Sequence, residues 1–206
     1  MESVIILENE FNNLIKTFME FGILKKAPRT GWTWRNVPDC ESIADHCYRV
    51  NLISMVLCDF LNSSKKIYPD IPVISSEKVL RMAALHEIAE CRVGDIPFPA
   101  LKYIGGDVKT AAEKNAVKDM LGELSVKTGV DYIKLWNEFE DAGSIEGRLV
   151  KSADKFEMLL QAYEYERAGI KTLDDFWENA KTFEQIAFLP PLRELLDCLI
   201  KLRGRL

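Results

Sequence analysis

The stretch Leu85-His86-Glu87-Ile88-Ala89-Glu90, followed by Gly94-Asp95-Ile96-Pro97, decides how this chain is read. Upstream, Val79, Met82, Ala83, Leu85 and Ile88 recur at helical spacing behind a possible cap at Ser75 or Ser76. The period predicts a helix ending near Arg92, because Gly94, Pro97 and Pro99 follow closely. Four residues apart on a helix, His86 and Glu90 share a face, with Glu87 adjacent and Asp95 brought back by the turn. Carboxylates held this close repel one another unless a cation sits among them. The cluster is therefore a candidate metal and acid–base site.

Working outward, the same 3.6-residue period continues on both sides. Phe11, Leu14, Ile15, Phe18 and Phe21 mark a first helix to about Leu24. Residues 27–40 form a loop with Pro28, Gly31 and Pro38, carrying Arg29, Thr30, Trp32, Trp34, Arg35 and Asn36. A second helix is expected over residues 42–61, where Ser42 and Asp45 resemble a capping box; it carries His46. Further helices are expected over residues 109–128, 131–142 and 145–168, then two shorter ones over 173–183 and 191–202. Asp154 lies among apolar neighbours of the 145–168 helix, so it is expected to face inward and to need a cation. A metal held by His46, His86 and Asp154 would meet that need. No strand run or repeat is evident, and the expectation is one all-α domain over residues 1–206.

Composition narrows the function. The chain has 206 residues, 48% hydrophobic and 29% charged, with net charge −5 and a pI near 5.3. That supports a sizeable core and excludes a general affinity for nucleic-acid polymers. Five cysteines in no C-x-x-C pair argue against a disulfide framework or zinc ribbon and for a reducing compartment. Residues 1–9 lack the basic start of a secretory signal, and no apolar run approaches bilayer length. The expectation is a cytoplasmic protein. The metalloprotease motif His-Glu-x-x-His is missing its second histidine, since Glu90 stands there and only His46 and His86 exist.

The order of a His on one helix, a His-acid pair on a later one and a distant Asp resembles the HD superfamily of metal phosphohydrolases. Within it the chain is similar to the branch of bacterial 5′-deoxynucleotidase and eukaryotic HD-domain-containing protein 2. The stretches that carry this are Pro28-Arg29-Thr30-Gly31-Trp32, Arg35-Asn36-Val37, Glu41-Ser42 with Asp45-His46, Ala89-Glu90-Cys91 with Gly94-Asp95-Ile96, and residues 154–166. The resemblance implies one divalent metal (Mn, Co, Fe or Zn rather than Mg) on His46, His86, Glu87 and Asp154. It implies catalytic roles for Glu90 and Asp95, with Arg29, Trp32, Arg35 and Asp95 meeting the substrate. That substrate would be a small nucleotide, a deoxynucleoside 5′-monophosphate, and the protein a homodimer. Trp32 would be the wall that excludes a ribose 2′-hydroxyl. The second motif departs from the family's His-Asp: Glu87 is one methylene longer. A weakly active or non-catalytic nucleotide-binding or metal-binding relative, or a hydrolase of another nucleotide, are the competing readings. Trp34 is read as packing, Cys47 and Cys91 as small buried hydrophobes, and Glu157, Glu164 and Glu166 as a solvated face.

Overall fold

Helices arise where the apolar period and the caps agree. In the computed structural model, which describes residues 2–205, the clearest case is α3 (Ile43–Ser63). Ser42 Oγ accepts from the Asp45 amide at 3.2 Å, and Asp45 Oδ2 accepts from the Ser42 amide at 2.9 Å. This reciprocal box satisfies two donors that a helix start leaves open, worth about 1 kcal/mol. It also fixes the register that places His46 one turn in. Before α3 come α1 (Glu2–Phe21), a 3-10 turn at Gly22–Lys25 and the short α2 (Thr30–Thr33). The last two are finer structure than periodicity reveals.

After α3 the chain forms α4 (Ser76–Leu85), capped by Ser75 Oγ, and the single-turn α5 (Glu90–Val93). It continues through α6 (Leu101–Ile104), α7 (Gly106–Gly122), α8 (Val126–Glu140) and α9 (Ile145–Arg167). It closes with α10 (Ala180–Ile186) and α11 (Pro190–Arg203). The fold is all-α, a single helical domain. Among the described residues no strand is present beyond an isolated bridge between Pro28 and Ser42.

Two expectations are corrected. The helix expected over residues 109–128 stops at Gly122, and α8 starts before the expected residue 131. Gly129 sits against the turn, where a Cβ would stand 2.4 Å from the Leu121 carbonyl oxygen. The glycine thus permits a reversal that periodicity does not foresee. The second correction concerns the helix through His86. Regular α4 ends at Leu85, and the backbone continues through tighter i→i+3 bonds: Ile88 to Leu85, Glu90 to Glu87 and Cys91 to Ile88, at 3.0–3.2 Å. The Ala83 carbonyl, which an α-helix would offer to the Glu87 amide, instead meets His86 Nδ1 at 2.8 Å. With three residues per turn, Glu87 and Glu90 come onto one side.

Helix α3 packs against α4 and α9. Val50, Leu57, Leu61, Met82, Leu149 and Val150 fill the space between them. Burying each such side chain contributes roughly 1.5–3 kcal/mol. A second cluster with Leu85, Ile88, Val117, Met120 and Trp136 supports the end of α4 from α7 and α8. Helices α3, α7, α8 and α9 therefore hold the segment around His86 in place.

Candidate metal centre

Helix α3 brings in His46, the end of α4 brings in His86 and Glu87, and α9 brings in Asp154. His46 is fully buried, and His86 and Asp154 nearly so. His46 Nε2 lies 3.3 Å from His86 Nε2 and 3.3 Å from Asp154 Oδ1. Glu87 Oε1 stands 3.9 Å and 4.0 Å from the two Nε2 atoms. One ligand atom from each of the four residues thus falls within 4.8 Å of the others.

The tautomers follow from the outer partners. His46 Nδ1 is 2.5 Å from the Glu157 carboxylate, and His86 Nδ1 is 2.8 Å from the Ala83 carbonyl. The carbonyl can only accept, and so can the ionised carboxylate, so each Nδ1 donates and each Nε2 is left to meet the cluster. Two neutral rings so oriented would oppose Nε2 lone pairs at 3.3 Å, so either a proton or a metal ion lies between them. Asp154 Oδ1 and Glu90 Oε2 are buried without hydrogen-bond partners. Ligand atoms about 2.1 Å from a tetrahedral ion lie about 3.4 Å apart; the distances from His46 to His86 and to Asp154 match this, and the remaining separations are longer but stay within 4.8 Å. The two-nitrogen, two-oxygen set fits a divalent transition metal.

Electrostatics agree. Burial acts most strongly on His46 and would lower its pKa, but the Asp154 and Glu157 carboxylates outweigh burial and Arg29, and push it up to about 9. His86, whose neighbouring ring carries that charge, is lowered, chiefly by burial. Burial also works against ionised Asp154, yet Lys155 and the two histidines hold its carboxyl well below the usual range. The cluster attracts positive charge.

Glu157 is where the sequence reading needs correction. It is fully buried rather than part of a solvated face. Arg49 Nε donates to its other oxygen at 2.8 Å, and Arg49 Nη1 donates to Glu164 at 2.7 Å. Glu164 is exposed, while Glu166 pairs with Arg203. The signal was available: Glu157 lies three residues after Asp154 on a face otherwise lined by Leu149, Val150, Ala153 and Phe156.

Arg29 reaches three of the surrounding carboxylates. Its Nη1 donates to Glu87 Oε1 at 3.1 Å and stands 3.9 Å from Glu90 and 4.0 Å from Asp95. Asp95 is delivered by Gly94, whose φ of 72° favours glycine. Asp95 Oδ2 accepts from the Thr30 amide at 2.8 Å, and its carbonyl accepts from Thr30 Oγ1 at 3.1 Å, which ties the loop to the cluster. Glu90 is buried, and burial first, then the Glu87 charge, holds its carboxyl well above the usual range. Two more cations approach: Lys155, 2.9 Å from Asp154 Oδ2, and Lys109, bound to Glu113.

Trp32 reaches the cluster through Glu41, whose carboxylate lies within 4.8 Å of His46 and Glu157, and Arg35 bonds none of its members. Trp32 is 2% exposed, stacked on Phe176 at 4.5 Å and edge-on to Tyr165, and its Nε1 donates to Glu41 at 2.8 Å. It is buried here. Arg35 pairs with Asp175 and the Gly31 carbonyl and lies over the Phe176 ring. Trp34, expected to pack, is exposed. Cys91 is buried and its thiol pushed up to about 11 by burial; Cys47 is half-buried and its thiol is raised further by burial and the Glu87 charge. Neither is poised as a thiolate ligand.

Known proteins share this arrangement of sequence. A family profile described as "HD domain" matches residues 21–187. The 5′-deoxynucleotidase HDDC2 of Dictyostelium discoideum is 38% identical over 156 residues, covering 76% of this chain and 79% of that protein. The protein of the same name from Homo sapiens is 36% identical over 169 residues, covering 81% and 76%. Among solved structures, the PH0347 protein of Pyrococcus horikoshii OT3 superposes with a TM-score of 0.74 at 37% identity, covering 93% of this chain and 98% of that one.

Proposed function

The chain belongs to the HD-domain family, and from that premise we propose that it is a metal-dependent phosphomonoesterase that hydrolyses deoxynucleoside 5′-monophosphates to deoxynucleoside and phosphate. The observation that carries this reading is the placement of His86 Nε2 and of the Asp154 oxygen without a hydrogen-bond partner, each 3.3 Å from His46 Nε2. The substrate class is supported by the relatives named 5′-deoxynucleotidase at 36–38% identity.

His46, His86, Glu87 and Asp154 would hold one Mn, Co, Fe or Zn ion. Bound there, such an ion supplies polarisation of a phosphate oxygen and a more acidic water. Glu90, buried beside Glu87 with a free oxygen, is suited to take or hold a proton at its carboxylate. Asp95 orients the loop through Thr30 and stands beside the Arg29 fork, which is placed to bind a phosphate oxygen. The contacts of Arg35 with Asp175 and of Trp32 with Phe176 give these two an indirect part, shaping the loop that carries Arg29.

The proposal extends to a cytoplasmic homodimer. Free cysteines accord with a reducing compartment, and no helix among the described residues is long and apolar enough to cross a membrane. Tyr48, Leu52, Met55, Val56 and Phe60 form an exposed apolar stripe on α3, and Phe11, Ile15 and Phe18 another on α1. Such stripes favour a partner copy; sedimentation that finds only monomers would remove this part.

The test is phosphate release from a panel of deoxy- and ribonucleoside monophosphates after chelation and reloading with Mn²⁺, Co²⁺ or Mg²⁺. Release from the deoxynucleotides, lost on chelation and restored by Mn²⁺ or Co²⁺, is expected. Tight nucleotide binding with no release under any metal would instead make the protein a binding module.

A further inference from the structure

Lys155 follows Asp154 directly in α9 and bonds it. Its Nζ lies 2.9 Å from Asp154 Oδ2, while Oδ1 turns to His46 Nε2 at 3.3 Å. On the other side of the cluster, Arg29 does the same for Glu87 at 3.1 Å. Each acidic ligand thus has its own cation, one from the loop before α2 and one from α9. The Lys155 side chain is 32% exposed against 7% for Asp154, so the cation lies on the solvent side of its carboxylate, while Arg29 at 13% is about as enclosed as Glu87 at 18%. Lys109 differs: it is committed to Glu113 one turn along its own helix.

Charge balance gives this pairing a use. Glu87 and Asp154 together carry two negative charges, matched by Arg29 and Lys155. A divalent ion held by the same carboxylates matches those two charges again, and Arg29 with Lys155 then leave a net positive charge beside the cluster even with Asp95, 4.0 Å from Arg29, counted against them. A phosphate monoester near neutral pH carries close to two negative charges. We propose that Lys155 is a phosphate-binding residue of this site, the second arm of a clamp whose first arm is Arg29. The inference rests on the phosphomonoesterase reading for the identity of the ligand, and on the geometry alone for the position of the cation. A lysine acts here as a point charge, without a fixed fork, so it binds whichever phosphate oxygen turns toward it. A counter-ion that only steadies Asp154 would make a different prediction, because its loss would change metal retention and leave phosphate affinity alone.

The experiment is calorimetric titration of inorganic phosphate into Mn²⁺-loaded protein, with metal content measured on the same samples, for wild type, Lys155→Met and Lys155→Arg. Lys155→Met is expected to keep one Mn²⁺ per chain and to bind phosphate roughly tenfold or more weakly, the scale of one charge-assisted contact. Lys155→Arg keeps the charge, so its phosphate affinity is expected to stay within about threefold of wild type. Equal phosphate affinity in the Met variant overturns the proposal. So does loss of Mn²⁺ from it, which assigns Lys155 to holding Asp154, and so does wild-type protein that binds no phosphate. Turnover is read separately: phosphate binding that depends on Lys155, in a protein that releases no phosphate from any nucleotide, keeps this inference and removes the hydrolase reading.

Discussion

The Glu157 carboxylate accepts from His46 Nδ1 at 2.5 Å and so aims Nε2 of the same ring at His86. Glu157 belongs to α9 and His46 to α3, so this bond joins the two helices at the depth of the cluster. Burial works against the Glu157 charge, and the His46 and Arg49 bonds overcome it. Replacing Glu157 with Gln keeps an acceptor but puts an amide where either Arg49 or His46 needs an oxygen. Metal affinity is expected to fall about 10- to 100-fold, as measured by competition with a chromogenic chelator. Unchanged affinity would show that the ring needs no carboxylate to hold its orientation.

The same electrostatics fix a pH dependence. With a pKa raised to about 9, His46 is protonated across the neutral range in the absence of a metal. Burial, the largest influence, lowers that value, so the carboxylates are what raise it. A metal needs the neutral ring, so binding expels a proton. Metal affinity is expected to rise by about tenfold per pH unit up to that value and then to level off. Calorimetry in buffers of different ionisation enthalpy counts the released proton. An affinity flat between pH 6 and 8 would contradict the assignment of His46.

Asp154 has two tasks, facing His46 with one oxygen and Lys155 with the other. Asp154→Ala is expected to abolish both metal content and turnover while leaving helicity intact, because Ala153 and Leu149 already seat that face of α9. Retained metal with near-normal turnover would remove Asp154 from the site and the hydrolase reading with it.

The regular parts of the site were legible because they are local. The capping box at Ser42 and Asp45 and the apolar period of α9 lie within a few residues of sequence, and they register His46 and Asp154 correctly. What was not legible depends on distant partners. The end of α4 at Leu85 reflects the His86 ring and the Ala83 carbonyl meeting inside a packed cluster. Trp32 is buried and Trp34, expected to pack, is exposed, because Phe176 and Tyr165, far along the chain, cover the first. Glu157 differs, since its helical spacing from Asp154 already marked it as inward-facing.

Glu87 stands where the resemblance leads one to expect Asp, and its extra methylene brings Oε1 to Arg29 at 3.1 Å while leaving it 3.9 Å from His46 Nε2. Glu87→Asp restores the usual ligand length. One metal per chain and equal or higher turnover are expected, with a weaker hold on Arg29. A large loss of activity, more than about tenfold (about 1.4 kcal/mol), would show that the pocket has adapted to the longer side chain.

Trp32 separates a core role from a substrate role. Its ring is 2% exposed between Phe176 and Tyr165, so Trp32→Ala is expected to cost about 3–5 kcal/mol of stability. Trp32→Phe keeps a ring on the Phe176 stack but loses the bond to Glu41, so a smaller loss, about 1–2 kcal/mol, is expected. Denaturant unfolding measures both. If the ring acts only through packing, the ratio of deoxy- to ribonucleotide turnover in the Phe variant stays at the wild-type value. A Phe variant of near-normal stability that turns over ribonucleotides as readily as deoxynucleotides would return Trp32 to the substrate wall, with the ring exposed whenever the nucleotide is bound.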